Sequence, residues 1–136
     1  MARIIVDAMN VIGSRPDGWW RDRDGAALRL VERLQRLAAA TGDELAAVLD
    51  GRPTAALPEG VRGGDVSGSV VVLYATRPGR DAADDRIVEA VEGDDEPETL
   101  LVITSDRELA RRVRELGADV AGANTLLARL DELGEA

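Results

Sequence analysis

The sequence predicts an α/β fold: a doubly wound, mostly parallel sheet of about five strands flanked by helices, in a single domain spanning residues 1–136. Three observations predict it. Short apolar, β-branched runs recur along the chain, stripes with helical spacing separate them, and neither an internal repeat nor a second core is visible. Strands that are apolar throughout are buried on both faces, and joining them through helices implies parallel pairing with right-handed crossovers.

The first strand is RIIVDAM (3–9), followed by a Gly-, Pro- and Asp-rich loop, NVIGSRPDGWWRDRDG (10–25). AALRLVERLQRLAAATG (26–42) places Leu30, Leu34 and Leu37 on one stripe beside Val31 and Ala38 and stops at Gly42, the pattern of an amphipathic helix. ELAAVLDG (44–51) reads as the second strand, 52–69 as an irregular Pro/Gly segment, and VVVLYAT (70–76) as the third strand. A helix over about 81–92 and a polar linker, GDDEPE, lead to a fourth strand, TLLVITS (99–105). A helix from Asp106 to Leu116 follows, then a short fifth strand in GADVAG, and Leu126, Leu127, Leu130 and Leu133 stripe the last helix.

At 136 residues and 45% apolar composition the chain is long enough for a continuous core. It has no run of about 18 apolar residues and no signal-peptide pattern, so the cytoplasm is the expected location. Cys, His and Lys are all absent, and every one of the 17 basic residues is Arg. These absences exclude thiolate and Ser–His–Asp catalysis, Schiff-base lysines, zinc sites rich in Cys or His, and a P-loop lysine. Carboxylate chemistry remains.

The net charge of −9 argues against a polyanionic partner until its distribution is considered. Residues 81–98 carry nine acids against Arg86, which leaves the rest of the chain close to neutral. Ligands of open α/β sheets bind at the carboxyl ends of the strands, where strand order reverses. Asp7 and Asn10 fall at the first such end, Asp50 at the second, and Ser105 and Asp106 at the fourth. With a 3-2-1-4-5 order, the first and fourth strands are neighbours and Asp7 faces Asp106 across the switch point.

In the 81–92 helix, Asp84 shares a stripe with Ile87, Val88 and Val91, whereas Asp85 aligns with Val88, Glu89 and Glu92 on a wetter side and Asp81 suits the N-cap. A carboxylate ending a buried stripe needs a partner. Without Lys or His, a divalent cation shared with Asp7 and Asp106 is the economical one, and hard oxygen ligands suit Mg²⁺ or Mn²⁺. Plainer readings stand beside these. Asp50-Gly51 is also a turn dipeptide, Ser105 with Glu108 matches a capping box, and Asp106 is a favourable first-turn acid. Trp19-Trp20 either stacks on bases or packs over the core edge.

The succession DAMNVIGSRP, VLDG, VVLYAT, ADDRIVEAV and VITSDREL resembles the NYN domains, the PIN-like metal-dependent ribonucleases, and among them the small bacterial YacP-type proteins, over roughly residues 3 to 117. The resemblance implies a PIN-like (Rossmann-like) fold and hydrolysis of RNA phosphodiester bonds. It implies catalytic roles for Asp7, Asn10, Asp84, Asp85 and Asp106. Two positions depart from the family pattern: Ala8 stands where Gly is usual, and Ala110 where some relatives carry a further acid.

The resulting expectation is a Mg²⁺- or Mn²⁺-dependent endoribonuclease in which Asp7, Asp84 and Asp106, with Asp50 as an additional candidate, hold metal. Asn10 is expected to orient water or phosphate, and Asp85 to act as an outer-shell or second-metal ligand. Arg52, Arg77, Arg80 and Ser105 are the expected nucleic-acid contacts, in a 52–80 segment where Arg52, Arg62, Arg77 and Arg80 outnumber Glu59 and Asp65. The expected partner is RNA, single-stranded or structured, with no membrane; this class also admits a homodimer or a larger ribonucleoprotein. One alternative is a non-catalytic RNA-binding or adaptor module that retains an acidic metal pocket. Another is a phosphatase or phosphoacceptor domain, disfavoured because such sites as a rule add a Lys and this chain has none.

Overall fold

A computed structural model describes residues 2–62, 69–79 and 81–134. Its sheet has the strands β1 (Arg3–Asp7), β2 (Glu44–Leu49), β3 (Gly60–Arg62), β4 (Val70–Tyr74), β5 (Leu100–Ile103) and β6 (Asp119–Ala121) in the order β3-β4-β2-β1-β5-β6. All pairings are parallel except β3 with β4. Leaving β3 aside, this is the 3-2-1-4-5 order expected from the sequence. Arg3 to Val6 lie opposite Leu100 to Ile103, so β1 and β5 run side by side to the edge where order reverses.

The helices are α1 (Ala8–Gly13), α2 (Arg23–Thr41), α3 (Ala82–Glu92), α4 (Arg107–Glu115) and α5 (Ala123–Glu132). They divide between the two faces. Ile4, Val6, Leu45, Ala47 and Leu49 pack with α1, α2 and α5, burying Leu34, Leu37, Leu126 and Leu130. Ile5, Val48, Leu100 and Val102 pack with α3 and α4, burying Ile87, Val91, Leu109 and Val113. This alternation along β1 and β2 is the period-two consequence of a pleated strand covered on both sides. Among the described residues no helix is long and apolar enough to cross a membrane.

The structure corrects the sequence reading in two places. The first strand ends at Asp7, not at residue 9, and the expected loop begins with α1 and holds a 3₁₀ turn at Trp19–Arg21. Ala8, Val11 and Ile12, spaced i, i+3, i+4, are all buried and turn the chain back over the sheet. The irregular 52–69 segment supplies β3, which brings the strands to six. Residues 57 and 59 are tied down by buried Tyr74, whose hydroxyl donates to the Leu57 carbonyl at 2.7 Å and whose backbone N–H donates to Glu59 Oε1 at 3.0 Å; residues 63–68 lie outside the described residues.

Candidate active site

Strand parity aims Asp7 at the α3/α4 side, because it stands two residues beyond Ile5. It is 5% exposed and one of two buried polar residues among those described; the other is Thr104, at 2%. The Thr104 hydroxyl donates to Asp7 Oδ2 at 2.8 Å and accepts from the Asp106 backbone N–H at 3.1 Å. One buried hydroxyl thus joins the end of β1 to the entry of α4. Burial pushes the Asp7 carboxyl above the ordinary carboxylate range; the Thr104 bond opposes this, and the charges of Asp106 and Asp50 add to it.

Asp106 is the N-cap of α4, its Oδ1 accepting from the Leu109 N–H at 3.0 Å. Ser105 therefore does not cap α4, as the capping-box spacing suggested. Its Oγ instead accepts from the Ala123 N–H at 3.0 Å, satisfying an otherwise orphaned donor at the start of α5. Asn10 Oδ1 accepts from the Ser105 N–H at 2.8 Å, which fixes the amide orientation and leaves its NH₂ donors to whatever enters the edge.

Asp84 sits in the first turn of α3, above the buried stripe of Ile87, Val88 and Val91. Its carboxyl is pushed up to about 6, first by burial and then by the negative charges of Asp7, Asp106 and Asp81, with Arg112 opposing. Three acids from the ends of β1 and β5 and the start of α3 therefore share one electrostatic field. Among the described residues neither a hydrogen bond nor an ion pair reaches the Asp84 side chain. The same residues contain no group of three or more carboxylates gathered closely enough to grip an ion as they stand.

Asp85, one residue on, has the opposite environment. Arg112 donates to its Oδ1 at 3.0 Å and Arg77 to its Oδ2, and these two guanidinium groups hold its carboxyl below the usual range. The expected outer-shell acid is thus already ion-paired, and Arg77 is engaged with it. Asp81 occupies the N-cap position of α3 but makes no side-chain capping bond; its carbonyl accepts from the Asp85 N–H.

Asp50 is exposed and pairs with Arg23 at 3.2 Å. It lines a cleft of about 270 Å³ beside the ends of β2 and β4, together with Arg23, Arg52, Met9 and Tyr74. Asp7, Asp84 and Asp106 are not among the residues that line it. Arg62 is taken up by Gln35 and the Ala56 carbonyl, and Arg80 and Asp65 lie outside the described residues. Of the two departures from the family pattern, Ala8 is fully buried at the start of α1 and Ala110 is buried in α4.

The sequence reading passed over two residues that organise this edge. Thr104 read as the tail of an apolar strand, although a hydroxyl directly before Ser-Asp at a strand end was a usable signal. Arg112 was hidden because its partner, Asp85, lies 27 residues away, on another helix.

The fold recurs in known structures. A mutant form of Rae1 (YacP) from Bacillus subtilis superposes with a TM-score of 0.75 at 23% identity, over 98% of this chain and 77% of that one. A second crystal structure of Rae1 (YacP) from Bacillus subtilis gives 0.72 at 23% identity, over 98% and 75%. The likeness establishes the shared PIN-like α/β architecture. No curated protein sequence matches the chain. Residues 4–136 match the model of the YacP-like NYN domain, and the chain belongs to that family.

Proposed function

We propose that the chain is an endoribonuclease whose Asp7, Asp84 and Asp106 hold Mg²⁺ or Mn²⁺ at the carboxyl edge of the sheet. Membership of the NYN family supports an RNA-directed, nuclease-type activity. The single observation that carries the reading is the placement of Asp7 at the end of β1, Asp106 just beyond β5 and Asp84 in the first turn of α3, close enough for the charges of Asp7 and Asp106 to raise the Asp84 carboxyl. Carboxylates assembled at a cost, with only Arg112 in opposition, form an oxygen-rich site suited to a hard divalent cation. Such a cation, when bound, supplies neutralisation of the phosphate and acidification of a water.

The protein's own groups do the rest. Thr104 fixes the Asp7 carboxylate, the N-cap bond fixes Asp106, and the Asn10 NH₂ offers donors to a phosphate oxygen or a water. Asp85 keeps Arg77 and Arg112 beside the acids, where they balance charge on an incoming phosphate backbone. A cytoplasmic location, and a homodimer or larger ribonucleoprotein as the assembly, belong to the same reading.

A second reading, a non-catalytic RNA-binding or adaptor module that retains the acidic metal pocket, fits the same family membership. Single-turnover incubation with a labelled single-stranded RNA in Mn²⁺ separates the two. The nuclease reading expects cleavage that EDTA abolishes and that Asp7→Asn and Asp84→Asn each lose; binding without cleavage by the unmodified chain establishes the adaptor.

A further inference from the structure

The paired tryptophans have divided their roles. Trp19 packs against the α1/α2/α5 core, whereas Trp20 is 53% exposed, the two rings meeting edge to face at 6.1 Å. The Arg21 guanidinium lies 6.0 Å from the centre of the Trp20 ring, and that of Arg23 lies 5.7 Å from the centre of Trp19. Arg23 also pairs with Asp50 and lines the cleft that contains Arg52. The exposed indole is thus linked, through the Trp19 ring and the Arg23 guanidinium, to a cleft at the carboxyl ends of β2 and β4. Arg21 and Arg52 form no ion pair with any described acid.

We propose that Trp20 is a stacking platform for one base of a single-stranded RNA, with Arg21 contacting a phosphate beside the ring and Arg52 one further along, at the cleft. Held this way, the strand is positioned along the carboxyl edge before it reaches the acids. The inference rests on the RNA reading above and deepens it. An indole fixed by a second ring loses little freedom on binding, presents a flat apolar face, and stacks on any base. The Arg21 guanidinium beside the ring and Arg52 in the cleft supply the charge complementarity that a polyanion requires. Duplex RNA hides its base faces and fits this surface poorly.

The test is a titration of the full chain with an unstructured 12-nucleotide RNA in EDTA, where affinity is read without cleavage, by tryptophan fluorescence and by anisotropy of a labelled strand. Expected are quenching on binding, about tenfold weaker binding by Trp20→Ala, and most of the affinity retained by Trp20→Phe, which preserves a ring face. Trp20→Ala binding as tightly as the unmodified chain overturns the proposal. So does a duplex of equal length bound as tightly as the single strand. The nuclease reading fails separately: quenching with no cleavage in Mn²⁺ leaves the platform standing and removes the catalytic assignment, while cleavage without any Trp20 effect does the reverse.

Discussion

The two sides of the sheet's carboxyl edge follow opposite electrostatic plans. On the α3/α4 side, Asp7 and Asp84 are drawn away from water with no paired cation among the described residues, and both carboxyls shift upward. On the α2 side the one acid at a strand end, Asp50, is exposed and matched by Arg23, with Arg52 and two indoles nearby. The same chemical group is thus costly on one side and compensated on the other. The contrast is sharpest within a single turn of α3, where Asp84 has no ion-pair partner among the described residues and Asp85 is held by two arginines. Retained cost of this kind points to function, and compensation points to structure.

The largest test of this contrast exchanges the two neighbours. Asp84→Asn is expected to lower single-turnover RNA cleavage in Mn²⁺ by about 100-fold or more, because it removes a charge from the acid cluster, whereas Asp85→Asn leaves most of the rate. Equal losses in the two variants would dissolve the distinction. Next comes Thr104→Val, which deletes the hydroxyl between Asp7 and the Asp106 backbone. It is expected to weaken Mn²⁺ dependence about 10-fold, the usual range for a group that orients a ligand, with Thr104→Ser restoring it. A structural hydroxyl alone would lower stability without moving the half-saturating Mn²⁺ concentration.

How much of this was legible in the sequence depends on length and on distance. Asp84 was readable because Ile87, Val88 and Val91 repeat over two turns, long enough for a helical stripe to declare itself. The neighbouring ends of β1 and β5 followed from the apolar runs and crossover rules, without any side chain being seen. The six-residue α1 and three-residue β3 were too short to carry a period, and tertiary packing rather than local preference makes them. Ser105 and Asp106 offered two caps for one helix. The choice fell to Asp106 because Ser105 is drawn across to the Ala123 N–H, a bond no local pattern announces. Asp85 looked wet and available for the same reason: its two arginines arrive from elsewhere in the fold.

A smaller effect lies in stability. With its folded carboxyl at about 6, above the ordinary 3.8, Asp84 favours the folded state when protonated. That contribution is present below about pH 4 and is lost as pH rises through 6. In EDTA, Asp84→Asn is therefore expected to melt above the unmodified chain at pH 8, by about 1 kcal/mol after allowance for solvent screening, and to match it at pH 4. Added Mn²⁺ is expected to raise the melting temperature of the unmodified chain at pH 8 and to do so less for the variant, since a cation that binds the folded state stabilises it by mass action. Identical responses of the two proteins to Mn²⁺ would place the cation elsewhere.

The smallest effect, and the one with reversed sign, belongs to Asp85. Its folded carboxyl is lowered by Arg112 and Arg77, so its contribution is present above the ordinary carboxylate range and is lost as pH falls through the folded value. Because the pairs are only partly shielded from solvent, Asp85→Asn is expected to lower the melting temperature slightly at pH 8 and low ionic strength, with the difference fading in high salt. Melting curves of Asp84→Asn and Asp85→Asn across pH should therefore diverge in opposite directions from the unmodified chain at pH 8 and converge on it in acid. If Asp85→Asn also melted above the unmodified chain at pH 8, its arginines would not be compensating it, and α3 would begin with two strained acids instead of one.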